Sequence, residues 1–108
     1  MYSAEQADRG ERLYARGCSR CHGATLMGAE TGSALVGREF LTRWEPKSVG
    51  ALFDVMRKTM PDDAPGSLAE KQYADVLAYL LKENDFPAGK EDLPFGLEAL
   101  DAISFTRP

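Results

Sequence analysis

The chain has 108 residues and a formal net charge of −4, from 13 basic and 17 acidic side chains. This length predicts one domain, and a content of 44% hydrophobic and 28% charged residues excludes disorder as a description of the whole chain. The acidic balance disfavours a nucleic-acid partner, and the longest apolar run, residues 76–81, is too short for a transmembrane anchor.

The sequence predicts a first helix over residues 4–15. Ser3 and Gln6 have the spacing of a capping box, in which each side chain accepts a hydrogen bond from the backbone N–H of the other residue. Gly10 and Tyr14 are four residues apart and share one face of this helix. Because Gly10 has no side chain, we expect another helix to approach closely at this position.

Directly after this helix comes Cys18-Ser19-Arg20-Cys21-His22, the C-x-x-C-H pattern to which c-type haem is attached. In that pattern the two thiols bond to the porphyrin and the histidine binds the iron. The sequence has no other cysteine or histidine, which disfavours a four-ligand zinc site, and no predicted strand precedes the motif, as a thioredoxin-like dithiol would require. A covalent haem would enlarge the small core of so short a chain, so we expect the apoprotein to be poorly folded.

The middle of the chain predicts a loop followed by two helical segments. Residues 23–37 are rich in small and turn-forming residues, which indicates a loop wrapping one side of the haem. A short helical turn is expected around Phe40 and Trp44. Apolar residues at helical spacing then predict an amphipathic helix that begins after an N-cap at Ser48 and ends near residue 58 or 59.

The second axial ligand of the iron cannot be another histidine, because His22 is the only one. A thioether favours ferrous iron and so suits an electron carrier. Of the four methionines, Met1 is terminal and Met27 is too near the attachment motif to reach the opposite haem face. Met56 lies on the apolar face of its helix, where it is expected to pack in the core, so it is the fallback ligand. Met60 is the predicted ligand. The turn-forming residues after Met60 indicate that a loop carries it.

A last long helix is predicted to begin after Ser67, which forms a capping-box pattern with Glu70, and to end near Asn84. Its apolar stripe, which we interpret as packing together with the flanking Tyr79, comprises Tyr73, Val76, Leu77, Leu80 and Leu81. Residues 86–108 form a tail that we expect to be ordered. Its predicted contacts with the body are Phe95, Leu100, Ile103 and Phe105.

These residues together resemble the class I cytochrome c family over nearly the whole chain. Gly10 and Tyr14 match its glycine–aromatic pair, residues 59–61 its distal methionine loop, and residues 76–80 its final helix. The resemblance implies an all-α class I cytochrome c fold: three main helices plus short turns wrapped around one covalently bound haem, with an ordered C-terminal tail. We expect one domain over residues 1–108. The predicted site for one haem c consists of Cys18, Cys21, His22 and Met60, with His22 and Met60 as the iron ligands.

A closer likeness is to small bacterial periplasmic cytochromes c and to the cytochrome c domains of quinohaemoprotein alcohol dehydrogenases. They share the Leu-x-Gly-x-x-Phe pattern of residues 35–40 and the sequence of residues 84–89. The likeness implies a monomeric periplasmic electron carrier, not an enzyme, with redox proteins as partners: a quinoprotein dehydrogenase as donor and a terminal oxidase as acceptor. The family usually has a proline where Ser33 and Ala34 stand, so the carbonyl that orients His22 is not assigned.

The expected location follows from the chemistry of attachment, because c-type haem is normally attached after export. The first 20 residues contain no charged start followed by an apolar stretch. We therefore interpret a secretion leader as removed or left out.

Two other functions stay open at this point. One is a haem enzyme or gas sensor with an open axial position, which the single histidine and the absence of an acid–base pair near the expected ligand disfavour. The other is a cytochrome domain excised from a larger quinohaemoprotein dehydrogenase, which would keep the same chemistry.

Overall fold

The computed structural model describes residues 2–17, 35–44, 47–60, 66 and 68–103. Its elements in chain order are β1 (Tyr2–Ser3), α1 (Ala4–Gly17), α2 (Arg38–Trp44), α3 (Val49–Thr59), α4 (Glu70–Glu83), β2 (Ala88–Gly89) and α5 (Leu97–Asp101). The expected all-α class is confirmed, with the three main helices at α1, α3 and α4. Most of the predicted loop over residues 23–37 lies outside the described residues.

Helices α1 and α4 cross at Gly10, as its missing side chain predicts. A Cβ atom at Gly10 would overlap the main-chain carbonyl oxygen of Asp75. Beside the crossing, Arg9 Nε lies 3.3 Å from the carboxylate of Asp75, which is buried. One turn further along α1, the Tyr14 ring packs on Tyr79 with 5.5 Å between ring centroids. The crossing therefore fixes the direction in which α1 leads into the C-x-x-C-H motif.

Helix α3 begins and ends where the sequence predicts. The Ser48 hydroxyl accepts from the backbone N–H of Ala51 at 3.1 Å, which confirms Ser48 as the N-cap. The tail packs against this end of the helix: the Val49 N–H donates to the Ile103 carbonyl at 2.8 Å. The buried side of α3 consists of Val49, Gly50, Leu52, Phe53 and Met56.

Helix α4 begins at Glu70, two residues later than predicted, and Ala69 is its N-cap. The Leu68 N–H points to the Tyr73 hydroxyl at 3.4 Å, and the Ala69 N–H donates to Gln72 Oε1 at 2.9 Å. Side chains from the first turn of α4 therefore accept hydrogen bonds from the two backbone N–H groups that precede it. These bonds fix the start of the helix at Glu70 in place of the cap predicted at Ser67. Ser67 itself lies outside the described residues.

The capping box predicted for α1 forms only in part. The Gln6 N–H donates to the Ser3 hydroxyl at 3.1 Å, as expected. The Gln6 side chain, however, turns to the tail instead of reaching back to Ser3. Its Oε1 accepts from the Leu93 N–H at 2.7 Å, and its Nε2 donates to the Leu93 carbonyl at 3.4 Å. A fully buried glutamine thus anchors the tail to α1.

The start of the chain also holds the tail in place. Strands β1 and β2 pair in parallel, and the Tyr2 hydroxyl donates to the Phe86 carbonyl at 2.6 Å. The Asp92 carboxylate accepts from the Ser3 hydroxyl and, at 2.6 Å, from Arg9.

The expectation of an ordered tail is confirmed as far as residue 103, but its predicted contacts are only partly correct. Leu100 is fully buried and Ile103 is half-buried. Phe95 is 52% exposed, so its assignment to the contact with the body is wrong. Leu93 is buried in its place, because its backbone is bound by the Gln6 side chain. Phe105 lies outside the described residues.

Candidate functional site

Three of the four predicted site residues, Cys18, Cys21 and His22, lie outside the described residues. They belong to the segment 18–34, which follows α1 directly. Met60 is described. Of the predicted site, the structure therefore describes Met60, together with the residues that precede and follow the segment 18–34.

Met60 is the first residue beyond α3. Its backbone is extended, with φ −122° and ψ 150°, and its N–H donates to the Met56 carbonyl at 2.9 Å. The chain therefore leaves the helix at Met60, as the turn-forming residues after it predict. The Met60 side chain is half-buried, whereas Met56 is 8% exposed and packs in the hydrophobic core. This difference favours Met60 over Met56 as the thioether available to a metal.

The carbonyl oxygen of Met60 is held by the neighbouring helix. The Tyr73 hydroxyl on α4 donates to it at 2.7 Å, and the Gly66 N–H approaches it at 3.4 Å. The helical pattern placed Tyr73 only in the packing stripe. Periodicity reports which face of a helix is apolar, and it carries no information about a partner 13 residues earlier in the chain.

The buried side-chain amide of Asn84 binds the backbone of the residues that follow the segment 18–34. Asn84 is 3% exposed, and its Nδ2 donates to the carbonyls of Leu35 at 2.9 Å and Leu80 at 2.8 Å. Its Oδ1 accepts from the Gly37 N–H at 3.2 Å, and Gly37 has a φ of +91° that favours glycine. Helical spacing predicts Asn84 only as the end of a helix. The one signal that could have linked it to Leu35 is that both belong to segments of the family resemblance.

Charged side chains near Met60 are paired along α3. Asp54 lies 2.9 Å from both Arg57 Nη2 and Lys58 Nζ. Hydrogen bonds from Lys58 and Arg57 hold the pKa of Asp54 below its usual value, and the bond from Lys58 has the larger effect. Both cations lie in the last turn of the helix, where the helix dipole favours positive charge. These pairs therefore lie at the end of α3 from which the chain continues into Met60.

The residues present fit a covalently attached haem. The sequence supplies two thiols, one imidazole and a thioether, a set that suits thioether attachment and six-coordinate iron. Half-buried apolar side chains also border the two segments in question. Leu13 precedes the segment 18–34, Leu35 and Val36 follow it, and Leu68 follows the loop after Met60. Such side chains suit contact with the apolar faces of a porphyrin.

A model of the family described as cytochrome c oxidase, cbb3-type, subunit III matches residues 5–80. The matched segment is well over half of the chain, and it contains the C-x-x-C-H motif and Met60. The chain belongs to this family. Membership in the cbb3-type subunit III family implies a covalently attached c-type haem and electron transfer through it, and hence redox partners.

The fold is shared with a chain of the sulfane dehydrogenase SoxCD from Paracoccus pantotrophus. The two match with a TM-score of 0.68 and 21% sequence identity over 91% of this chain. This chain spans 52% of the SoxCD chain, about half its length. No curated protein matches. The family match and the shared fold confirm the predicted class I cytochrome c fold.

No helix in the described part of the chain is long and apolar enough to cross a bilayer. Among the same residues, no group of three or more histidine, cysteine, aspartate or glutamate side chains is arranged to hold a metal ion.

Proposed function

We propose that the chain is a monohaem c-type cytochrome of the periplasm that passes single electrons between redox proteins. In this proposal Cys18 and Cys21 attach one haem c, and His22 and Met60 are its axial ligands. The observation that carries the proposal is the position of Met60: a half-buried thioether just beyond α3, in a chain with one C-x-x-C-H motif.

The proposed reaction is the uptake of one electron from a reduced partner and its release to an oxidised one. When bound, the haem supplies the iron that changes between the ferrous and ferric states. No bond forms or breaks, so the chain acts as a carrier and not as an enzyme. The task of His22 and Met60 is to keep both axial positions closed, and a thioether opposite an imidazole raises the reduction potential relative to two imidazoles.

The partners are proposed by class. The family resemblance favours a quinoprotein dehydrogenase as donor and a terminal oxidase as acceptor, and the matched family model describes an oxidase subunit. The net charge of −4 would speed the encounter with a partner that presents basic side chains, most strongly at low salt. A periplasmic location agrees with haem attachment after export.

We further propose that residues 1–108 act as one domain with residues 86–108 as its tail, working as a monomer. The contacts of Gln6 with Leu93 support the single domain, because they join the first helix to the tail. The same electron-transfer chemistry would hold if the chain were a module of a larger dehydrogenase.

Carbon monoxide binding by the reduced haem-loaded protein tests the proposed ligation. The wild type should resist carbon monoxide, because both axial positions are closed. Met60→Ala removes a half-buried side chain, so the fold should persist while the iron becomes open to the gas. Equal binding by the two proteins would eliminate Met60 as a ligand.

Met56→Leu is the matched control, since it replaces a second thioether, one helical turn earlier, by a side chain of similar volume. The proposal predicts that this variant stays as closed to carbon monoxide as the wild type. A closed Met60→Ala together with an open Met56→Leu would transfer the ligand role to Met56. A wild type that binds carbon monoxide readily would favour the open-site alternative.

A further inference from the structure

The two ends of the loop that begins at Met60 meet at a single hydroxyl group. Tyr73 Oη donates to the Met60 carbonyl at 2.7 Å and faces the Leu68 N–H at 3.4 Å. The Gly66 N–H approaches the same Met60 carbonyl at 3.4 Å. One side chain of α4 thus connects the residue at which the loop leaves α3 with a residue at which it returns.

The position of this hydroxyl is fixed by its surroundings. Tyr73 is 2% exposed and lies in the first turns of α4, so its ring is held by the packed core. A phenol O–H can donate one hydrogen bond and accept another, and both capacities are used here. The ring packing that the sequence predicts for Tyr73 does not require these two bonds.

We propose that Tyr73 is a positioning residue for the axial thioether of Met60. This inference rests on the proposed function, in which Met60 binds the iron. Both polar backbone groups of Met60 are bound, its N–H by the Met56 carbonyl and its carbonyl by the Tyr73 hydroxyl. With its backbone held at both groups, Met60 presents its side chain from a fixed Cα atom. Tyr73 thus stabilises the state in which the thioether is on the iron, without touching the iron itself.

Loss of the hydroxyl would therefore increase the population in which Met60 has left the iron. A hydrogen bond of this kind contributes about 1 kcal/mol, which corresponds to about a fivefold change in the equilibrium between the bound and released states. An external ligand binds only the released state, so its apparent affinity rises in proportion to that population. Imidazole is a suitable probe because it binds ferric haem iron.

The test is an imidazole titration of the ferric haem-loaded protein carrying Tyr73→Phe, which keeps the buried ring and removes only the hydroxyl. We expect the apparent imidazole affinity to rise about fivefold over that of the wild type. The near-infrared absorption band of methionine-bound ferric haem should also disappear at a lower temperature. Circular dichroism on each protein establishes that the helices are retained.

Tyr79→Phe is the matched control, because it removes the same atom from a second buried tyrosine of α4, whose ring packs on Tyr14. Its imidazole affinity should stay within a factor of two of the wild type. Equal affinities for Tyr73→Phe and Tyr79→Phe would overturn the positioning role, since ring packing alone would then account for Tyr73.

Hydrogen exchange gives a second readout that does not depend on the haem spectrum. In Tyr73→Phe the Leu68 amide should exchange faster, because it loses its acceptor, while amides in the middle of α4 should exchange as in the wild type. Unchanged exchange at Leu68 would contradict its contact with the Tyr73 hydroxyl, and with it the hydroxyl position from which the bond to the Met60 carbonyl is argued.

Met60→Ala separates failure of this proposal from failure of the proposed function. If Met60→Ala leaves both the imidazole affinity and the near-infrared band unchanged, Met60 is not the ligand and the proposed function fails. If Met60→Ala opens the iron but Tyr73→Phe behaves like Tyr79→Phe, the ligand assignment stands and only the role of Tyr73 is refuted.

Discussion

Replacing Gly10 with alanine should destabilise the protein, although alanine is the better helix former. The methyl group would overlap the main-chain carbonyl of Asp75 where α1 and α4 cross. Because the obstructing atoms belong to the backbone, no change of side-chain rotamer can relieve the overlap. The two helices would have to move apart, which would also stretch the ion pair of Arg9 and the ring contact of Tyr14.

The size of the effect follows from two opposing contributions. Overpacking of a core costs about 1–3 kcal/mol, and the upper end applies here because backbone meets backbone. Alanine in place of glycine returns about 1 kcal/mol through its helix propensity. The free energy of unfolding should therefore fall by about 2 kcal/mol.

Thermal unfolding of the haem-loaded protein, followed by circular dichroism, measures this difference. A loss of about 2 kcal/mol corresponds to a fall in Tm of about 8–16 °C in a domain of this size. Gly96→Ala is the control, since a Cβ there meets no atom of the described residues within 4 Å, and it should change the free energy of unfolding by less than about 1 kcal/mol. A Gly10→Ala variant that unfolds at the wild-type temperature would refute the close crossing at Gly10.

Two further predictions concern the polar contacts that hold the borders of the fold. Asn84→Ala should lower the free energy of unfolding by about 2 kcal/mol, because the Leu35 carbonyl and the Gly37 N–H lose their partner. Urea denaturation measures this difference, and a curve superimposable on that of the wild type would contradict it. Hydrogen bonds from the Ser3 hydroxyl, the larger influence, and from Arg9 hold the pKa of Asp92 below its usual value. These contacts therefore contribute stability above about pH 3.9, and that stability is lost as the pH falls through the lowered pKa. Asp92→Asn should thus be less stable than the wild type at neutral pH, by at most about 1 kcal/mol for so exposed a pair, and the two proteins should converge in acid; equal stability at neutral pH would argue against the contacts.

Local rules predicted the parts of the fold that depend on neighbouring residues. Helix α3 begins after Ser48 and ends at Thr59 because an N-cap, an apolar stripe and a following set of turn formers all act within a few residues. Gly10 is different, because a glycine on the face shared with Tyr14 predicts the close approach of a helix without identifying it, and the structure shows that this helix is α4.

A contact between distant parts of the chain explains why the first capping box forms only in part. Gln6 matches a capping box, but its side chain binds the backbone of Leu93, which is 87 residues away. Spacing along one segment cannot show such a partner, and the same limit concealed the contact between Tyr73 and Met60.

The late start of helix α4 has a local cause instead. Gln72 and Tyr73 bind the amides of Ala69 and Leu68, so the helix begins after Ala69.

The tail shows the limit for apolar residues. Phe95 and Leu93 are both apolar residues in a segment without clear periodicity, and the sequence offered no basis for choosing between them. The Gln6 side chain binds the backbone of Leu93, and Leu93 is the residue that is buried, whereas Phe95 is exposed.

The central claim is that this chain carries one haem bonded to Cys18 and Cys21. Mass spectrometry of protein matured in cells that attach c-type haem tests it most directly, both on the intact chain and on the peptide that contains the C-x-x-C-H motif. We expect an increase in mass equal to one haem, located on that peptide and retained after denaturation in acid. Two unmodified thiols and no added mass in such a preparation would contradict it.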